Sequence, residues 1–122
     1  MKIAIASNDG QTIASHFGRT KGFVIVEVEG KKVKTRDYRP NTFTPHARGL
    51  EGDEYKYHEH GPLLNALSDC AVVISHGMGR RLYDDLATAG VRVFVTHETD
   101  MQRALDLYLN GQLDDRPELR HA

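Results

Sequence analysis

Short apolar runs alternate along this chain with abrupt polar breaks. KIAIAS (Lys2–Ser7) is apolar until it meets Asn8, Asp9 and Gly10, which predicts a buried strand followed by a turn. GFVIVEVEG (22–30) and KKVKTRDYRP (31–40) flank Glu29-Gly30, a hairpin signal. The second arm is rich in Lys and Arg, as suits a strand at a sheet edge. From 41 to 60 no apolar period appears. GPLLNALSDC then predicts a helix, with Pro62 at its first position and Leu63, Leu64 and Leu67 on one face. AVVISHG reads as a strand ending at Ser75-His76-Gly77. A second helix is expected over 79–89, with Met78, Leu82, Leu86 and Ala89 on one side. VRVFVTH is a further strand. Thr99 with Gln102 has the spacing of a capping box, opening a helix that carries Met101, Ala104, Leu105 and Tyr108 on one face. The polar residues 112–122 are expected to form a mobile tail.

The order β-β-β-α-β-α-β-α places a hairpin beside a first strand and follows it with two crossover units. Right-handed crossovers then give a mixed five-stranded sheet of order 3-2-1-4-5, with the second strand antiparallel and helices on both faces. This is a three-layer α/β layout of the RNase H-like kind. One domain is expected over 1–111, with 112–122 as the tail.

Composition narrows the function. Hydrophobic residues make up 39% of the 122 and charged residues 27%, the balance of a soluble globular chain. No apolar run approaches the roughly 20 residues of a membrane helix, and a cytoplasmic location is expected. Sixteen basic and 17 acidic residues, with no basic block interleaved with aromatics, offer no nucleic-acid surface. Cys70 is the single cysteine, so no thiolate set is available for a zinc or iron–sulfur site. A metal held here would rely on histidine, carboxylate or sulfur carried by the ligand itself.

In open α/β sheets ligands sit outside the carboxyl ends of the strands, where strand order reverses. That point falls between the first and fourth strands and brings Asn8, Asp9, His76 and Gly77 to one crevice. SHGMGRRL sharpens the picture: Gly77 and Gly79 allow close backbone approach before a helix start, and Arg80 and Arg81 add positive charge there. The stretch reads as an anion cradle. It is not a dinucleotide fingerprint, because Leu82 stands where the third glycine would be. SHFGRT places His16 and Arg19 in the connection after the first strand, with Phe17 as an anchor. The candidate cofactor-contacting set is therefore Asn8, Asp9, His16, Arg19, His76, Gly77, Met78, Gly79 and Arg80.

IAIASNDG, HFGR (16–19), FVIVEV and LLNALSDCAVVISHGMGRRLYDDLATAGVRVFV together resemble the dinitrogenase iron–molybdenum cofactor biosynthesis family, which includes NifX, NafY and the carboxyl-terminal domain of NifB. HFG and the GMG after a strand are the most specific marks. The resemblance implies an RNase H-like fold without nuclease activity. It implies a non-enzymatic protein that binds or carries iron–molybdenum cofactor or an iron–sulfur precursor, with cofactor-assembly proteins as partners. His16, Gly77 and Gly79 match the family pattern position by position and inherit a ligand-site role.

Residues 41–60 fall outside the resemblance. There His58 and His60 lie one residue apart; in an extended segment both point to one side and could chelate a single transition-metal ion, with His46 or a carboxylate completing the shell. A solvated loop is the competing reading. Two other functions stay open: a small regulatory domain binding an anionic metabolite in the same crevice, and an RNase H-like hydrolase. The hydrolase needs several carboxylates converging on metals, whereas only Asp9 stands near a suitable strand end.

Overall fold

The computed structural model describes residues 1–17, 20–41, 61–113, 115 and 120–121, of which 61–62 and 120–121 are described through their backbone. Strands β1 (Lys2–Ser7), β2 (Gly22–Glu29) and β3 (Lys32–Pro40) come first, then helix α1 (Gly61–Ala66) and β4 (Val72–Ser75). A two-residue strand β5 (Met78–Gly79) leads into α2 (Arg80–Thr88), followed by β6 (Arg92–Val95), α3 (Met101–Leu109) and β7 (Arg120–His121).

The main sheet has five strands in the order β3-β2-β1-β4-β6. β2 is antiparallel to both its neighbours, while β4 is parallel to β1 and β6 is parallel to β4. This is the expected order and direction, with β6 in the place of the fifth strand because the short β5 lies outside the sheet.

Period-two alternation explains the layers. Along β1, Ala4 and Ala6 face a core shared with Leu63, Leu67, Leu82 and Leu86 of the α1 and α2 region. Ile3 and Ile5 face the opposite core with Met101, Ala104 and Leu105 of α3. Both faces of β1, β2 and β4 are buried, which is why these strands read as nearly continuous apolar runs. β3 is exposed along almost its whole length, in keeping with its charge. Arg39 near its end donates to Asp69 and to the Ala66 carbonyl, tying the edge strand to the end of α1. The Arg39 guanidinium also holds the Asp69 carboxyl well below the usual carboxylate range.

Three details differ from the expectation. α3 is capped by Asp100, whose carboxylate accepts from the Arg103 N–H at 2.9 Å, rather than by Thr99. The helix begins at Met101, so the N-cap falls on Asp100, which also forms an antiparallel bridge with Thr12 flanked by the bond from Ile13 N–H to Thr99 O at 2.7 Å. Ala89 is exposed at the C-cap of α2 and not part of its apolar face. Some of the described residues beyond 111 also meet the body. Leu113 packs on the α3-side core, Asp115 accepts the N–H of Val95 at 3.0 Å, and β7 pairs in parallel with β5.

Cys70 lies just before β4, at the amino ends of the parallel strands, and its side chain is buried. Burial pushes its thiol up to about 11, with the nearby Asp69 charge adding to the effect. The thiolate is the reactive and metal-binding form. The native thiol is therefore expected to resist alkylation at about pH 8 and to react only after unfolding. Rapid labelling of the folded protein would contradict this placement.

Candidate functional site

The three parallel strands each end in a buried hydroxyl residue: Ser7 on β1, Ser75 on β4 and Thr96 just past β6. Each hydroxyl holds the turn that follows. Ser7 Oγ donates to Thr12 O at 2.6 Å and accepts from Gly10 N–H at 2.8 Å. Ser75 Oγ donates to Gly77 O at 2.8 Å, and Thr96 Oγ1 accepts from Glu98 N–H at 3.2 Å. These bonds offset the cost of burying the polar strand ends. The crevice they border has fixed walls.

The loop after β1 runs across these strand ends. Ala14 N–H donates to Ala6 O, Ile13 N–H to Thr99 O, and Met101 N–H to Gln11 O, so the loop is tied back to β1 and across to the start of α3. Phe17 then turns inward. It is fully buried, with its ring centroid 5.0 Å from that of Phe23. Its N–H donates to Gly77 O at 2.9 Å. That single bond joins the HFG loop to the GMG turn. His16 and His76 each immediately precede one of the two bonded residues, so the bond joins the two loops that carry these histidines, 60 positions apart in the chain.

The histidines differ in setting. His16 is exposed and engaged in a contact of its own. His76 is partly buried, and its Nδ1 is the one buried side-chain nitrogen or oxygen among the described residues that has no hydrogen-bond partner. An orphaned buried polar atom costs about 1–3 kcal/mol, a cost that a bound metal or a donor from a ligand would remove. Ser75 does not supply the partner, because its hydroxyl is directed to Gly77 O. The serine–histidine pair that a nucleophilic hydrolase would use is not formed by these two neighbours.

Gly79 is the N-cap of α2, with φ −63° and ψ 142°, and open space where a Cβ would stand. Neither the backbone nor the packing requires glycine there, yet glycine leaves the N–H groups of the first helical turn open to approach. No acidic residue occupies that turn. Arg80 and Arg81 are exposed and form no ion pair among the described residues. Positive side chains at the positive end of a helix are mildly unfavourable, and an anion reverses the sign.

Asn8 and Asp9 border the crevice but hold loops. Asn8 Oδ1 accepts from Lys21 N–H at 2.9 Å, fastening the entry to β2. Asp9 accepts from Thr12 N–H, Gln11 N–H and Thr12 Oγ1 at 2.7, 2.8 and 2.9 Å. These bonds, led by the Thr12 N–H, lower its pKa to about 2. Because the folded value lies below the ordinary 3.8, the stabilisation is present above that value and disappears as pH falls through about 2. Asp9→Asn is expected to be less stable than the parent at neutral pH, with the gap closing in acid unfolding between about pH 4 and 2. A gap that does not change with pH would contradict this origin. An ionised Asp9 also repels anions from the open hollow of about 350 Å³ that it lines with Asn8, Gly10 and Tyr38. The anion-attracting side of the crevice is therefore the one bordered by His16, His76 and the start of α2.

The other candidates are placed as follows. Met78 is 1% exposed and belongs to the core under α2, so its thioether is turned from solvent. Arg19, His46, His58 and His60 lie outside the described residues. Among the described residues no group of three or more His, Cys, Asp or Glu could hold a metal ion. Sequence reasoning did not foresee the Phe17–Gly77 bond, nor the arrival of Arg120 and His121 beside Met78 and Gly79. The polar, aperiodic tail carries no local signal of a strand.

Comparison with known proteins places the chain. The family model for the dinitrogenase iron-molybdenum cofactor matches residues 1–111, and the chain belongs to that family. It is 25% identical over 114 residues to the uncharacterized protein MJ0580 of Methanocaldococcus jannaschii, covering 93% of this chain and 90% of that one. The crystal structure of PH0822 superposes with a TM-score of 0.75 at 25% identity, covering 98% and 97% of the two chains. The apo form of the orange protein from Desulfovibrio gigas shares the fold, with a TM-score of 0.71 at 20% identity over 95% and 92%. Among the described residues no helix is long and apolar enough to cross a membrane.

Proposed function

We propose that this protein binds an anionic metallocofactor, an iron–molybdenum or iron–sulfur cluster or its precursor, and carries it without transforming it. The strand order supports assignment of the scaffold to the RNase H-like class. The observation that carries the reading is the buried, unpartnered His76 Nδ1 beside the loop that presents His16. A preassembled cluster needs few protein ligands, because sulfide already surrounds most of its metal. Imidazole nitrogen offers a bond to an exposed iron. The open first turn of α2 with Arg80 and Arg81 answers the cluster's negative charge. In this account Gly77 and Gly79 let the ligand approach the backbone, and Phe17 fixes the His16 loop.

A carrier must release its cargo. Two imidazoles and a set of hydrogen bonds hold a cluster less firmly than a four-cysteine site, which agrees with transfer to cofactor-assembly partners in the cytoplasm. The 41–60 segment, with His46, His58 and His60, is a second metal-binding candidate that the same experiment separates from the first.

The test is metal and acid-labile sulfide content after anaerobic reconstitution with a synthetic iron–sulfur cluster, without a His tag. The parent and a His58→Ala/His60→Ala variant are both expected to retain iron and sulfide in equal measure. Metal lost in the variant would move the site to the 41–60 segment. No metal or sulfide in either protein would leave an anionic-metabolite domain as the reading of this crevice.

A further inference from the structure

A hollow of about 330 Å³ lies at the carboxyl end of α3. Met1, just before β1, and Arg92, the first residue of β6, line it together with Tyr108 and Leu109 of α3. The parallel strands start here and end at the crevice, so the two places lie at opposite ends of the sheet. The volume is near the lower end of small-molecule sites, which run from roughly 300 to 1,000 Å³. None of the described lining residues is acidic. Glu29, next in sequence to the lining residue Gly30, is paired with Lys34.

Arg92 is the residue that gives this hollow its chemistry. Its N–H donates to Ala71 O at 3.0 Å, which fixes its backbone against the start of β4. Residues 92 and 94 share one face of β6, and the Arg92 guanidinium lies over the Phe94 ring, 4.8 Å from its centroid. Phe94 in turn meets the Tyr108 ring edge-on, with centroids 5.5 Å apart and planes at 77°. The guanidinium is thus held by packing, and it forms no ion pair among the described residues. Its planar fork of N–H donors matches the two oxygens of a carboxylate. Stacking uses a face of that plane and leaves its edge for hydrogen bonds. A side chain already held in place gives up less freedom on binding.

The surroundings are apolar. Tyr108, Leu109 and Leu113 pack on the α3-side core but are only partly buried, and Met1 is 51% exposed. Covering such surface is favourable. An inorganic anion would meet the guanidinium and leave this wall wet, whereas a neutral apolar molecule would leave the charge unmatched. A negative head on a short apolar body answers both.

We propose that this hollow is a second ligand site, for a small amphipathic carboxylate whose head pairs with Arg92 and whose apolar body covers Tyr108, Leu109 and Leu113. The site goes beyond the cluster reading and does not depend on it.

The experiment titrates the full chain with phenylacetate, hexanoate and the neutral isostere phenylacetamide, following backbone amide shifts by NMR. Both carboxylates are expected to move the amides of Arg92, Phe94, Leu109 and Gly111, with the about millimolar affinity that ligands of this size reach. Phenylacetamide is expected to bind about tenfold more weakly, because the charge-assisted pair is lost. Arg92→Gln should cost phenylacetate the same factor. Arg92→Lys, which keeps the charge without the fork or the stacking, should fall between. Arg92 is exposed, so both variants should unfold close to the parent. Equal binding of the acid and its amide, or of phenylacetate by the parent and Arg92→Gln, would overturn the pairing with Arg92. Shifts confined to Met78, Gly79 and Arg80 would put the carboxylate in the crevice and overturn the second site. No shift with either carboxylate at about 10 mM, well above millimolar affinity, would overturn it too and leave the cluster reading untouched.

Discussion

Replacing Phe17 with alanine is expected to lower stability by about 3–5 kcal/mol, the usual cost of deleting a buried phenyl ring. Phe17 is completely buried and its ring packs at 5.0 Å, tilted by 47°, against that of Phe23, which lies in β2 and belongs to the α1–α2 core. The ring also anchors the loop whose N–H reaches Gly77 O. Losing it should therefore free the His16 loop from the GMG turn even under conditions where the sheet persists. The loss is read as a lower midpoint in urea unfolding with the slope unchanged, together with weaker cluster retention at low temperature. Phe17→Leu, which keeps most of the apolar volume, should recover much of the stability. Parent-like unfolding of the alanine variant would mean that Phe17 does not form this anchor.

The double variant His16→Ala/His76→Ala is expected to show the largest loss of function, with cluster retention falling at least about tenfold, the effect of removing metal ligation or its immediate support. His76→Ala also removes the buried Nδ1 that lacks a partner, so the apo protein should be no less stable than the parent despite the lost contacts. Gly79→Ala is the companion. With φ −63° and empty space at the Cβ position, alanine fits the fold without strain. Its unfolding should match the parent to within about 1 kcal/mol, the reduced freedom of the unfolded chain offsetting the poorer N-cap that alanine makes. Weaker binding by a variant of parent-like stability would show that the ligand closely approaches the Gly79 backbone. Full retention by all of these variants would remove the crevice from consideration as the cargo site.

The two effects have different origins, which makes them separable. Phe17 acts through packing, and its loss is read by denaturant. His16 and Gly79 act at the exposed rim of the crevice and His76 through its buried Nδ1, and their loss is read by ligand. Asp9 belongs with Phe17: its oxygens are taken up by Gln11 and Thr12, so it shapes the loop and keeps anions out of the neighbouring hollow.

Much of this architecture was legible in the one-dimensional pattern. Alternation in GFVIVEVE and the apolar runs KIAIAS and VVIS define strands because side chains on a strand alternate between faces, and this sheet is covered on both. Leu82 and Leu86 define a helix face for the same local reason. The strand order followed from connection lengths and the handedness of crossovers. The placement of Ser7, Ser75 and Thr96 at one end of the sheet followed in turn, as did a crevice with glycines and arginines at its rim.

Contacts between segments far apart in the chain were decided by the tertiary structure alone. Nothing local to SHFGRT or SHGMGRRL states that Phe17 N–H meets Gly77 O. That bond depends on the sheet register, which sets the distance between the two loops. Met78 looks equally suited to the crevice and to the core, and the packing under α2 decides for the core. Thr99 and Asp100 are both competent helix caps, and the Thr12–Asp100 bridge with the helix start at Met101 gives the cap to the second. The return of Arg120 and His121 to Met78 and Gly79 leaves no periodic trace in a polar tail. Periodicity records how each segment meets water and core; the partners it meets there are set by where the other segments lie.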